Sequence, residues 1–286
     1  RGAQVWCQLF SEPGAGSDLA ALGTRAVRDG DEWVVRGQKV WTSHAHYADW
    51  GILLVRTDPA APKHRGITCL LLDMATPGIE VRPLRQATGA AEFNEVFLDD
   101  VRVPDADRLG EVGQGWRVGL TTLSSERVSI GANASVFPFE EVLALARRFG
   151  ADRDPVRRRE LVDLHVRIEL LRYLGFRTRT ALSRGEQPGP ESSVMKLAMS
   201  EHWSRTGDLV LALMGPTGML DHGDAPDGGT WQGTFLSQWA TRIGGGTDQV
   251  QRTIVGERVL GLDREPRPDR EIAWRDLPGN APGVSP

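Results

Sequence analysis

Gln8-Leu9-Phe10-Ser11-Glu12-Pro13-Gly14-Ala15-Gly16-Ser17-Asp18 follows an alternating apolar run of Val5, Cys7 and Leu9 and then breaks into a turn built from Pro13, Gly14 and Gly16. A strand that ends this way leaves backbone N–H groups beside small side chains. A flat or anionic ligand can then approach the main chain closely. The plainer reading is a decorated β-turn, since two glycines in a loop are common punctuation.

Composition sets the outer limits. The chain has 286 residues, 40% of them apolar and 25% charged, which suffices for one large core or two ordinary ones. A formal charge of −4 and the lack of a Lys/Arg run give no basic surface for a nucleic acid. No apolar stretch approaches the roughly 20 residues that span a bilayer, and the N-terminus lacks the pattern of a signal peptide. The expectation is a cytoplasmic protein with no membrane partner. Cys7 and Cys69 both lie in apolar strand-like runs, where a buried reduced thiol is the usual state. His44 and His46 form no metal spacing with a Cys or Glu pair, so no metal is expected. Because it begins at Arg1 rather than Met, the chain reads as a fragment.

Residues 1–110 read as β. Asp29-Gly30 supplies a tight hairpin turn between Thr24–Val27 and Glu32–Val35, and short alternating runs continue at Trp50–Arg56, Ile67–Asp73, Ile79–Val81 and Glu92–Leu98. Beyond Pro104 the apolar period lengthens to three and four residues. Helices are expected at Trp116–Ala132, Val156–Leu182, Ser192–Met214 and Asp248–Leu260, with Asp154-Pro155 capping the second. The fold class is therefore α+β: an antiparallel β-barrel or sandwich over 1–110, then a four-helix bundle over 111–262. The tail, 263–286, is rich in proline and charge and is expected to be largely disordered. The stripe Leu161, Leu164, Ile168 and Leu171 exceeds what short helices can hide and reads as a subunit interface.

The Gln8–Asp18 run resembles the signature of the acyl-CoA dehydrogenases. Three further stretches agree in the same order: Gly37-Gln38-Lys39-Val40-Trp41-Thr42-Ser43, Phe93 to Pro104, and Gly245-Gly246-Thr247-Asp248-Gln249-Val250-Gln251-Arg252. The resemblance implies a middle β-domain and a C-terminal helical domain, with the family's N-terminal helical domain preceding Arg1. It also implies FAD, an acyl-CoA substrate, electron-transferring flavoprotein as acceptor, and a homo- or hetero-oligomer. By this resemblance Gln8, Phe10, Ser11, Trp41 and Ser43 contact the flavin ring, Thr247 and Gln249 reach the cofactor from the last helix, and Ser17 lies near the thioester. Read without it, Trp41 is a strand tryptophan of the ordinary core kind. Desaturation of a thioester needs a carboxylate for the α proton, an acceptor for the β hydride and donors on the thioester oxygen.

Two family positions have changed. The usual catalytic glutamate precedes the Gly-Thr that opens the last helix, and here that position is Gly245. A minority of the family carries the base on the first bundle helix, directly before an arginine, which points to Glu126 with Arg127 beside it as a substrate contact. A solvent-facing Glu-Arg pair is the competing reading. At Ala212 to Gly218 the family's glutamine and paired glycines, which contact a neighbouring subunit's cofactor, are replaced, and Arg148-Phe149-Gly150 is only loosely similar to the arginine and Phe-Gly that share that duty. Two functions remain open: an FAD-dependent acyl-CoA dehydrogenase with Glu126 as base, or a non-catalytic subunit that shares a flavin site with an active homologue.

Overall fold

A computed structural model describes residues 2–132, 138–186, 189 and 192–278, with side chains throughout except at 126–132 and 192. The chain divides into two compact units, one formed by Arg1–Thr122 with Glu265–Pro286, the other by Leu123–Arg264.

The first unit is a seven-stranded sheet of β1 (Trp6–Leu9), β2 (Arg25–Asp29), β3 (Glu32–Ser43), β4 (Trp50–Arg56), β5 (Ile67–Asp73), β6 (Ile79–Leu84) and β7 (Phe93–Pro104), in the order β1-β4-β2-β3-β7-β6, with β5 on β4. Period-two alternation sends Cys7, Leu9, Val35, Leu53, Val55, Leu70, Val96 and Val101 into one buried core. Each such side chain is worth roughly 1.5–3 kcal/mol when fully buried. Asp29 pairs with Glu32 across the expected hairpin. The sheet is mixed rather than wholly antiparallel, because β1 runs parallel to β4, with Gln8 opposite Ile52. Side-chain alternation is the same in both pairings, so it carries no information on strand direction.

Two long strands, β3 and β7, form the back of the unit, and their register slips between Lys39 and Thr42. At that bulge Val40 leaves β7 and donates its N–H to the Ser11 carbonyl, 2.9 Å away, which ties the end of β1 to β3. One residue earlier, the fully buried Lys39 sends its ammonium to Glu12 Oε1 at 2.8 Å and to the Phe10 carbonyl at 3.1 Å. The same carboxylate accepts from the N–H groups of Gly23 (2.6 Å) and Thr24 (2.9 Å). Glu12 therefore gathers β1, β3 and the approach to β2. Arg56, on β4, secures the next loop by donating to the carbonyls of Ala20, Leu22 and Lys63.

The tail departs from expectation. Trp274 lies 4.8 Å from the Arg56 guanidinium and donates its indole N–H to the Ala21 carbonyl, while its backbone N–H reaches the Ala61 carbonyl at 2.9 Å. Leu277 is buried. One tryptophan that finds a buried cation and two carbonyls is enough to order a segment whose composition reads as disordered.

In the second unit, α4 (Ser192–Met214) packs on α2 (Phe139–Arg148), α3 (Pro155–Ser183), α5 (Thr230–Ile243) and α6 (Asp248–Ile254), while α1 (Gly115–Ala132) begins in the first unit. Asp154 caps α3 as expected, its Oδ1 accepting from Val156 N at 2.8 Å ahead of Pro155. Helices α2 and α5 add to the four expected. α2 has a legible pattern, with Glu140 and Glu141 at its start, buried Val142, Leu145 and Ala146, and Arg147 and Arg148 at its end. α5 does not, because it buries Gln232, Thr234 and Gln238 and so breaks the apolar period. The interface stripe is also corrected. Leu161 and Leu164 pack inside the unit against α2 and α4 residues such as Val142 and Val210, with Ile168 against them, and Leu171 is buried as well, while the exposed apolar residues of α3 include Val162, Val166, Leu170 and Tyr173. Among the described residues no helix is long and apolar enough to cross a membrane.

The Glu12–Lys39 pair makes the sheet unit sensitive to acid. Burial pushes the Glu12 carboxyl up, but the Lys39 charge and the donors from Lys39, Thr24 and Gly23 outweigh it and hold the group below the ordinary carboxylate range. Burial also holds Lys39 below the usual lysine range, against the pull of Glu12. A depressed carboxylate contributes stability that is complete above its unfolded value and is lost as pH falls through its folded value. Protonating Glu12 also strands a buried ammonium, so both groups act in the same direction in acid. Glu12→Gln is expected to cost about 3–5 kcal/mol in urea unfolding at neutral pH. The double variant Glu12→Gln/Lys39→Met should be less destabilised than Glu12→Gln alone, and strict addition of the two single losses would contradict the pairing.

Candidate functional site

The end of β1 and the bulge of β3 form one ledge. Glu12 and Ala15 exchange both backbone hydrogen bonds, at 3.1 and 3.0 Å, which closes the Pro13-Gly14 turn immediately after Ser11. A Cβ built on Gly14 or on Gly16 meets no atom within 4 Å, so the main chain there is open to an approaching molecule. Gln8 is exposed on the outer face of β1, Phe10 is buried beneath it, Ser11 is half-buried, and Ser17 is exposed past the turn.

Trp41 is the unusual member. Its φ is +61°, a left-handed value that costs a bulky residue about 1–2 kcal/mol, yet its side chain is 61% exposed. An edge contact with Phe93, at 6.0 Å between ring centroids, is the one aromatic contact of the indole among the described residues. A buried tryptophan would explain strain by packing, and this one does not. Ser43 is exposed two residues on, opposite Phe93 in the β3–β7 ladder. His44 also takes a positive φ, +63°, and stacks near Tyr47 at 5.2 Å. Strained backbone of this kind is concentrated at ligand clamps. The Val40–Ser11 bond therefore brings the end of β1 that carries Ser11 alongside the stretch of β3 that carries Trp41 and Ser43, residue types suited to a planar ring with a polar edge.

The β3 bulge lies beside the Lys39–Glu12 pair, and neither residue carries a sequence pattern that marks it as a site element. Lys39 sits three residues after Arg36 in a strand, and nothing in the pattern distinguishes a lysine that will be wholly buried from one that will be solvated. His44 and Tyr47 were likewise missed, because a positive φ at a histidine has no compositional mark.

Thr247 and Gln249 belong to the helical unit. Thr247 caps α6, its Oγ1 accepting from Val250 N at 3.2 Å, and Gln249 is exposed in the first turn. The loop before them carries Gly245 at φ +64° and Gly246 at φ +86°, and the buried Gln251 side chain donates to the Gly245 carbonyl at 3.0 Å. Asp248, 1% exposed, anchors the turn from below by accepting from Ser200 Oγ at 2.5 Å and Arg242 Nε at 3.1 Å, with Lys196 Nζ at 3.6 Å. Burial would raise this carboxyl, but the Ser200 hydroxyl and the Arg242 and Lys196 charges hold it below the ordinary range. Glu126 and Arg127 fall on α1, and their side chains lie outside the described set. On α2, Arg148 is held by Asp227 at 2.9 Å.

Comparison with known proteins gives this geometry a family. Residues 7–101 match the acyl-CoA dehydrogenase middle domain, and residues 113–260 match the acyl-CoA dehydrogenase C-terminal domain. The acyl-CoA dehydrogenase FadE34 of Mycobacterium tuberculosis is 44% identical over 265 residues, which cover 92% of this chain and 36% of that protein. Among solved structures, the Tcur3481-Tcur3483 steroid ACAD is 32% identical with a TM-score of 0.85, over 92% of this chain and 70% of that one. The ChsE4-ChsE5 complex from Mycobacterium tuberculosis is 31% identical with a TM-score of 0.78, over 93% and 71%. The chain thus spans about a third of FadE34 and corresponds in order to two consecutive domains, and it belongs to the acyl-CoA dehydrogenase family.

Proposed function

We propose that the protein is an FAD-dependent acyl-CoA dehydrogenase that introduces an α,β double bond into an acyl-CoA thioester, with electron-transferring flavoprotein as its acceptor. The observation that carries this reading is Trp41, a strained and exposed indole one residue past Val40, whose N–H is bonded to the Ser11 carbonyl. When bound, FAD supplies the acceptor for the β hydride. The chain supplies the rest. Trp41 lies against the face of the ring, Ser11 and Ser43 hydrogen-bond its polar edge, and Gln8 and Phe10 support it from β1. Thr247 and Gln249 hold the more distant part of the cofactor, and Ser17 and Arg127 contact the substrate. Glu126 removes the α proton, since Gly245 has no side chain with which to do so. The absence of bulk at Gly245 and the likeness to a steroid ACAD both favour a branched, cyclic or steroid-derived acyl group.

Glu126→Gln is expected to retain yellow flavin and to lose about 10² to 10⁴ in the rate of bleaching by substrate, the usual contribution of a placed general base. Full bleaching at the parent rate rules out Glu126. Trp41→Gly separates the ledge from the fold. Relief of the left-handed strain returns about 1–2 kcal/mol, against about 0.4–1 kcal/mol from the freer unfolded chain and about 0.5–1.5 kcal/mol from the lost Phe93 contact. Stability should therefore stay within about 1 kcal/mol of the parent, while flavin retention on gel filtration drops sharply. Undiminished flavin content excludes Trp41 from the site.

A second reading is favoured by Gly245 and by likeness to a protein solved as the ChsE4-ChsE5 complex: a non-catalytic subunit that shares a flavin site with an active homologue. The intact protein purified alone discriminates. Stoichiometric flavin and dye reduction support the enzyme, whereas a colourless protein that gains both only with a homologous partner supports the subunit.

A further inference from the structure

Helices α3 and α4 pack along one another, and they carry three basic side chains, Arg167, His202 and Arg205, of which Arg205 acts electrostatically on Arg167 and Arg167 on His202. His202 on α4 is 0% exposed, and neither of its ring nitrogens has a hydrogen-bond partner among the described residues. Arg167 on α3 is half-buried, with its Nε enclosed and equally without a partner. Arg205 is exposed, one turn along α4 from His202, and its charge acts on Arg167. The groups grade from solvent to core: Arg205 outside, Arg167 at the wall, His202 inside. The carboxylate whose field reaches Arg167 is Asp163, four residues earlier on α3 and exposed.

Buried donors are almost always paired, and an unpaired one in a native fold points to a bound water or ion. Charge decides between them. The Arg167 and Arg205 guanidinium groups repel one another at the edge of the seam, with the neutral His202 imidazole as a further donor behind them, and a neutral water does not relieve that repulsion, whereas an anion does. The ionisation of the groups runs the same way. Burial, then Arg205, lowers Arg167, and burial, then Arg167, pushes His202 down to about 4.

We propose that Arg167, His202 and Arg205 form a binding site for a small inorganic anion of the halide or phosphate class, gripped by the Arg167 Nε–H and a ring N–H of His202 and reached past Arg205. An ion held there bridges α3 to α4, so its occupancy is coupled to the stability of the helical unit.

The test melts the intact protein in gluconate that is replaced stepwise, at constant ionic strength, by bromide or by phosphate. A saturating rise of a few degrees is expected for the parent and for Arg159→Met, which removes an exposed arginine of α3 outside the cluster. The rise should vanish in Arg167→Met and in His202→Leu. Crystals of the parent grown in each salt provide a readout that does not depend on how the variants fold, bromide being located by its anomalous signal. An ion at Arg167 in the bromide crystals assigns a halide site, and one in the phosphate crystals alone assigns an oxyanion site. An equal response of all four proteins, or a water in that position in both crystals, overturns the proposal.

Discussion

The sheet unit depends on a cation that has no route to water. Lys39 is the largest fully buried side chain among the described residues, and its ammonium has the Phe10 carbonyl and the Glu12 carboxylate as partners. Desolvating an ammonium is costly, and a single carboxylate seldom compensates for it. Here Glu12 is itself braced by two backbone N–H groups, so the anion is fixed before the cation meets it. Because Glu12 is the first residue of the turn after Ser11, and Lys39 precedes the bulge at Val40 and Trp41, one ion pair sets the position of both halves of the ledge. An apolar pair at these positions would match the burial but would leave the Gly23 and Thr24 N–H groups and the Phe10 carbonyl to find other partners.

The helical unit uses the same logic with different residues. Asp248 is buried at the start of α6 and is surrounded by a hydroxyl, a guanidinium and an ammonium from α4 and the end of α5. The loop it anchors has two consecutive left-handed glycines, and such a backbone has little preference of its own. Held from below by Asp248 and laterally by Gln251, it presents Thr247 and Gln249 at fixed positions. In both units, then, the residues that resemble cofactor contacts stand one step away from a buried carboxylate.

This arrangement explains which parts were legible. Hydrophobic alternation located every strand, and periodicity with Asp154-Pro155 located α3, because those features record burial of side chains of one kind. The ledge residues Ser11, Trp41 and Ser43 were legible only through resemblance, since a serine or tryptophan in a strand has many uses. What escaped was polar burial. α5 hides Gln232, Thr234 and Gln238, and α4 hides Lys196, Ser200 and His202, residues that any pattern places at the surface. The tail escaped for a related reason, since the docking of Trp274 depends on Arg56, more than two hundred residues earlier. The stripe on α3 misled because apolar periodicity reports that a face is buried and not what buries it.

Trp41 and Gly245 share a left-handed backbone conformation but not its cost. At Trp41 the fold holds a bulky side chain in a left-handed conformation, a strain of about 1–2 kcal/mol that persists only where the surroundings over-determine it. At Gly245 the conformation is also left-handed, at φ +64°, but the side chain is gone. A glutamate at Gly245 in this backbone would incur the same strain without the bulge and the Phe93 contact that sustain Trp41, and the Gly245 carbonyl is already committed to Gln251. The loop therefore holds a geometry that disfavours a side chain at Gly245, and the base proposed above lies elsewhere, on α1.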